Sequence, residues 1–389
     1  MSHVRISPAV LKWAQERAGL SQEQLAKKVG LGSRRIEELH AWEKGLEQPT
    51  FRQAQALARA LHIPIGYLFL SSPPSTTLPV ADFRSIPENE RGKFSPDLQD
   101  VLNDALRKRD WFREWRIREE YAPLPFIGRF DIRANPELIV EDIRRSLSLP
   151  KPTGRESKNQ DEHMRFLVHH AEEAGILVLQ SGIVQNNSKR TLSVQEFRGF
   201  ALTDNYAPLI FINARDYRSA RIFTLAHELG HIWTNTSGIS NPEFAHTNHD
   251  QTLSVERLCN KIAAELLVPA DILAAMLSAR TNLLDEAQNL ARQFQVSVFV
   301  ILIRLYELDL IPKSEFEAAL VQANADVKET QVVERGGGDF YSNLLRRNSR
   351  LFVHEITSAI TEGQILHKEA AQLLNIHPWT LENALQRWQ

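Results

Sequence analysis

The sequence predicts a mostly helical α+β chain, with a small sheet set among helices and all-helical parts at both ends. Three observations carry that expectation. Residues 7–70 are short amphipathic stretches separated by caps and glycines, the pattern of a five-helix unit. Residues 176–213 hold three apolar runs of strand length. Residues 222–234 read Ile-Phe-Thr-Leu-Ala-His-Glu-Leu-Gly-His-Ile-Trp-Thr, an apolar helix carrying an H-E-x-x-H. The expected divisions are a small helical unit over 1–72, a linker and helical connection over 73–154, the α+β part over 155–275 and a helical remainder over 276–389.

Composition narrows the function classes. The chain has 389 residues and a formal net charge of -2, so no whole-molecule basic field announces nucleic acid. Cys259 is the single cysteine, which excludes an intramolecular disulfide and makes histidine and carboxylate the expected zinc donors. The first residues lack the apolar core of a signal peptide, and no apolar run approaches the ~18 residues of a spanning helix. A cytoplasmic protein with no membrane partner is the expectation.

Along the N-terminal part, Ser7-Pro8 opens a helix that closes near Gly19. Ser21 with Gln24 forms a capping box for a second helix ending at Gly30. A third runs from about Ser33 through Trp42, a fourth starts after Pro49-Thr50, and Pro64 to Phe69 closes the unit. Residues 1–71 carry ten Lys/Arg against six Asp/Glu, a local excess of +4 suited to phosphate. Ser21-Gln22-Glu23-Gln24-Leu25-Ala26, Trp42-Glu43-Lys44-Gly45, Pro49-Thr50 and Leu57-Ala58 together resemble the Cro/repressor-type (XRE) helix-turn-helix domain. The resemblance implies binding to double-stranded operator DNA, with Gln22 and Lys28 near phosphate and Ser33, Arg34 and Arg35 at the major groove. Paired half-sites would make a homodimer. The segment from Gly30 to Gly45 is about one helical turn longer than the family pattern, which places Glu37 and Glu38 where neutral base readers sit. A helical protein-binding module is the alternative.

Ser71-Ser72-Pro73-Pro74-Ser75-Thr76-Thr77 marks a boundary. A long amphipathic helix is expected from about Ser95 to Tyr121, with the basic run Arg107-Lys108-Arg109 on a solvated face. Further helices follow from Asn135-Pro136 and over 159–174, the latter ending at Gly175. Ile176 to Leu179, Phe197 to Leu202 and Pro208 to Asn213 read as strands. A sheet edge beside the H-E-x-x-H helix could pair with an extended peptide.

Two histidines four apart on a helix reach one metal ion, and the glutamate after the first is placed to work on its water. His227 and His231 are thus the expected ligands and Glu228 the catalytic base. A third protein ligand is needed. The helix expected from about Thr252 to Leu267 offers Glu256 and Glu265, nine apart and so on opposite sides. Glu265 has a ready partner in Lys261, which makes Glu256 the expected ligand and Glu265 the fallback. Cys259 is a soft donor on an apolar face, where core packing is its commoner role. Asn260 is a candidate for orienting a ligand, and His246 and His249 for stabilising an oxyanion.

Arg198-Gly199-Phe200-Ala201-Leu202, the run from Phe223 to His231, and Glu256-x-x-Cys259-Asn260-x-x-Ala263-Ala264-Glu265-Leu266-Leu267-x-Pro269 closely resemble the ImmA/IrrE family of metallopeptidases. That resemblance implies a gluzincin-like Zn2+ site and cleavage of a repressor or regulator protein. It also implies a rival from another class, an antitoxin or repressor that uses the peptidase fold only to bind a toxin; the complete H-E-x-x-H with Glu256 favours the peptidase.

Beyond Asp271 helices are expected over about 284–294, 297–308 and 314–326, then a break at Gly336-Gly337-Gly338. Residues 363–376, followed by a helix from Pro378, have the rhythm of a second helix-turn-helix. DNA binding and a partner-binding or dimerising bundle are the two readings for it.

Overall fold

The computed structural model describes residues 3–31, 36–74, 94–152, 157–240, 250–277, 282–329 and 339–388. The chain divides into two compact units, Met1–Leu102 and Asn103–Gln389.

The first unit contains α1 (Pro8–Ala18), α2 (Gln22–Val29), α3 (Ile36–Glu43) and α4 (Phe51–Ala60), closed by a 3-10 helix at Ile65–Phe69. Local chemistry sets the boundaries. Pro8 sits in the first turn of α1, and capping boxes of Ser21 with Gln24 and Thr50 with Gln53 start α2 and α4. Gly30, at φ 78°, lets the chain turn sharply out of α2. Leu11, Leu25, Leu39, Trp42, Leu57 and Leu61 form one buried core.

The second unit is built on a four-stranded sheet of order β1-β5-β4-β6. β1 (Leu177–Ser181) runs parallel to β5 (Leu209–Asn213), and β4 (Gly199–Leu202) lies antiparallel between β5 and β6 (Gly238–Ser240). β2 (Ile183–Val184) and β3 (Asn187–Thr191) pair as a separate hairpin. Neither β6 nor this hairpin is legible in the sequence, because a run such as Asn187–Thr191 is polar and mostly exposed. Helix α5 (Pro96–Arg118) spans the boundary between the units, and helices α6 (Pro136–Ser146), α7 (Gln160–Glu173), α8 (Arg218–Thr234) and α9 (Asp250–Leu267) pack with the sheet. Their shared core includes Ile143, Leu167, Ile210, Leu225, Ile232 and Ile262. Trp233 stacks on Phe126 at 4.4 Å and donates its indole N–H to Asp142 at 2.9 Å. No helix among the described residues is long and apolar enough to cross a membrane.

The core continues through α10 (Ala270–Met276), α11 (Leu283–Phe294), α12 (Val298–Glu307) and α13 (Lys313–Glu329). Then come α14 (Phe340–Asn348), α15 (Arg350–Thr361), α16 (His367–Leu373) and α17 (Pro378–Trp388). The glycines at 336–338 lie outside the described residues.

The basic run on α5 departs from expectation. Lys108 is buried, its ammonium 2.5 Å from the Asp104 carboxylate. Asp104 in turn accepts from Asn375, in the turn between α16 and α17, and the backbone oxygen of Asn375 accepts from Asn186 at 2.7 Å. The solvated-face reading holds for the exposed Arg107 and fails at Lys108, because helical spacing alone does not say which position of the run is covered. That turn, the centre of the second helix-turn-helix rhythm, is engaged by α5 and the β2–β3 hairpin.

A second junction joins α7 to α15. Glu172 accepts from the Ser349 hydroxyl at 2.6 Å and the Arg350 N–H at 2.9 Å. Burial pushes this carboxyl up to about 7 against those hydrogen bonds. The folded value lies above the unfolded one. Stabilisation from the protonated form is therefore full below the unfolded value near 4.5 and fades as pH rises through about 7. Glu172→Gln removes that dependence. Between pH 4.5 and 8, urea unfolding should show the wild-type chain losing roughly 3 kcal/mol relative to Glu172→Gln. Parallel curves for the two chains would remove burial as the cause.

Candidate metal centre

Helix α8 crosses the sheet with every residue from Thr224 to Thr234 buried. Its approach to β4 is set by Gly199. A Cβ there would fall 2.5 Å from Thr224 Cγ2, 2.9 Å from the Phe211 carbonyl oxygen and 3.1 Å from Glu228 Oε1. Only glycine lets β4 pass this close to Glu228, which is fully buried.

His227 and His231 turn their Nε2 atoms toward each other at 3.1 Å. The Glu256 carboxylate spans the pair, Oε2 lying 3.2 Å from His227 Nε2 and Oε1 3.4 Å from His231 Nε2. A tetrahedral ion with bonds of ~2.0–2.1 Å has donor–donor edges of about 3.3–3.4 Å. The three donors are thus spaced for such a site. On the far side of each ring a second group holds the imidazole. His227 Nδ1 faces Asn260 Oδ1 at 2.9 Å, and His231 Nδ1 faces Thr236 Oγ1 at 3.0 Å. Thr236 is further tied to Thr234 at 2.8 Å, and Thr234 donates to the Gly230 carbonyl.

Electrostatics favour positive charge at this focus. Burial works against ionisation of Glu256, yet hydrogen bonds from His227 and His231 outweigh it and hold the carboxyl below the usual range. Burial likewise opposes charge on His231, but Cys259 and Glu256 beside it push its value well above the ordinary one. A cluster of buried groups that gains by holding a cation fits a metal ion.

The other candidates fall as follows. His227, His231 and Cys259 also bring donor atoms within 4.8 Å of one another. Cys259 is buried beneath Gly230, where an added Cβ would meet its sulfur at 3.1 Å. Burial pushes that thiol up, which disfavours the thiolate a metal needs, whereas Glu256 already offers an ionised carboxylate. Glu265 points away and pairs with Arg304 of α12, not with the expected Lys261. Lys261 is exposed while Arg304 is buried, and a buried guanidinium demands a carboxylate more strongly than a solvated ammonium does. Thr236 was not foreseen. Its signal was the polar run Asn235-Thr236-Ser237 directly after an apolar helix, turned back by Asn235 at φ 51°.

In the first unit, Lys28 is exposed and Gln22 donates to the Glu43 carboxylate at 2.8 Å. Ser33, Arg34 and Arg35 lie outside the described residues, as do His246 and His249.

Two family models match the chain. Residues 11–68 match a helix-turn-helix family. Residues 171–306 match the peptidase family described as an IrrE N-terminal-like domain, a span that contains His227, Glu228, His231 and Glu256. The chain joins a helix-turn-helix domain to an IrrE N-terminal-like peptidase domain. Comparison with curated proteins gives no match. The IrrE-like span begins inside α7 and ends inside α12, so Arg304 and its partner Glu265 both fall within it.

Proposed function

We propose that the IrrE-like domain is a zinc-dependent endopeptidase acting on a partner regulator protein, and that the helix-turn-helix domain places it on double-stranded operator DNA as a transcription regulator. The convergence of His227, His231 and Glu256 beside the buried Glu228 carries this reading. A pure binding scaffold has no need of a carboxylate at Glu228.

Zinc held by the three donors supplies Lewis acidity, a more acidic water and a polarised scissile carbonyl. The rest of the chemistry belongs to the chain. Glu228 takes the proton of the attacking water and returns it to the leaving amine. Asn260 and Thr236 accept the Nδ1–H of His227 and His231, which fixes both rings with Nε2 free to bind. Buried walls from β4 and α8 exclude bulk water from Glu228.

The test compares protein N-termini in cells carrying the wild-type chain or Glu228→Gln. New N-termini from one regulator, seen only with the wild type, are expected. Regulation untouched by Glu228→Gln, with no new N-termini, would replace the peptidase with the toxin-binding antitoxin. For the DNA-binding half, Lys28→Ala should weaken operator binding uniformly across sequences and lower the salt slope by about one. An unchanged slope in salt titrations would take Lys28 off the phosphate backbone.

A further inference from the structure

The edge of the sheet beside the candidate centre is occupied by the chain itself. β4 passes Glu228 at Gly199, and its outer side would be the place for a peptide whose scissile bond reaches His227 and His231. That side is paired with β6, in the register Gly199↔Ser240, Phe200↔Ile239 and Ala201↔Gly238. β6 lies directly against the centre, since a Cβ at Gly238 would come within 3.6 Å of the His231 ring. Extended peptides bind proteins by adding a strand to an exposed edge, and the main chain supplies the affinity. Here the first such strand is supplied in cis.

We propose that β6 is a self-strand held in the substrate's place, and that a substrate must be an unstructured segment able to replace it on β4. The proposal rests on the peptidase reading and specifies its substrate class. Three features make the strand a removable occupant. It is three residues long, so few ladder bonds hold it. It begins just beyond the C-cap of α8, so it stays tethered when released. Its main described side-chain anchor is Ser237, whose hydroxyl accepts from the Thr203 N–H at 3.0 Å and lies 2.9 Å from the Thr203 hydroxyl. The segment is also coupled to the centre, because Thr236, immediately before that anchor, holds His231 Nδ1. Exchange of β6 for a substrate strand therefore reaches a metal-binding imidazole through one residue.

Successive amides in an antiparallel strand alternate between facing the partner and facing away. Of Ile239→Pro and Ser240→Pro, one removes an N–H donated to β4 and releases β6, while the other leaves the ladder intact. The full-length chain would be loaded with zinc in a Glu228→Gln background, and binding of an unstructured, mixed-sequence decapeptide library measured. Self-occupancy lowers apparent affinity by the fraction of chains with β6 released, so at least one proline variant should bind about ten-fold more tightly. Amide exchange at Gly199–Leu202 should quicken in the same variant. Binding unchanged or weaker in both overturns the proposal. Should a proline chain not fold, Ser237→Ala gives the same comparison through the Thr203 anchor, with tighter binding expected and unchanged binding overturning it. The same variants with Glu228 restored separate the two ideas. Tighter binding without cleavage would retire the peptidase and keep strand exchange; cleavage with binding unchanged throughout would do the reverse.

Discussion

Glu228→Gln should leave zinc bound at wild-type stoichiometry and lower cleavage of the partner regulator by about 10²–10⁴-fold, the usual contribution of a positioned general base. The side chain is fully buried next to Gly199, so an isosteric amide keeps the packing while removing the basic oxygen. Glu256→Ala should lose both metal and cleavage, because it removes the carboxylate that spans the two Nε2 atoms. His227 and His231 would then face each other across 3.1 Å with no anionic partner of that kind. Metal analysis by mass spectrometry and a cleavage assay on the same preparations read both effects. Full metal content in Glu256→Ala would transfer the third-ligand role to Cys259, which among the described residues also brings a donor within 4.8 Å of both imidazoles.

Glu265→Ala is expected to show the opposite pattern, a large loss of stability with the metal retained. Arg304 is buried and hydrogen-bonds to the Glu265 carboxylate and the Val268 carbonyl oxygen, with the Glu307 and Glu137 carboxylates acting on it without a hydrogen bond. A guanidinium cannot shed its proton, so removing Glu265 leaves a buried charge that lacks its carboxylate. Breaking such a pair costs about 3–5 kcal/mol. Replacing both members with apolar groups, as in Glu265→Met with Arg304→Met, should recover much of that loss, because the penalty lies in the orphaned charge. Urea denaturation of the zinc-loaded variants measures the stability, and zinc content shows whether the centre is intact. Loss of zinc in Glu265→Ala with an unaltered unfolding midpoint would exchange the roles assigned to Glu256 and Glu265.

These two glutamates mark what the sequence could and could not decide. Their nine-residue separation places them on opposite sides of α9, which is a property of helix geometry and holds in any fold. Which side faces His227 and His231 is a matter of what packs on α9, and the sequence offered Lys261 as the partner of Glu265 where the structure offers Arg304. Glu256 lies against His227 and His231, and the partner expected for Glu265 was wrong. Helical periodicity reports neighbours three and four residues away; Arg304 comes from a helix almost forty residues later.

The same division runs through the chain. Caps, turns and periodicity determined the helices of the first unit, the strands β1, β4 and β5, and the H-E-x-x-H helix, because the forces that fix them act within a few residues. The tie of Asp104 to Asn375, the hold of Thr236 on His231 and the pairing of β6 with β4 were decided by tertiary structure alone. In each, a polar group meets its partner across a boundary between elements. Hydrogen-bonding capacity is written in the sequence, but the identity of a distant partner depends on how the apolar faces have already packed.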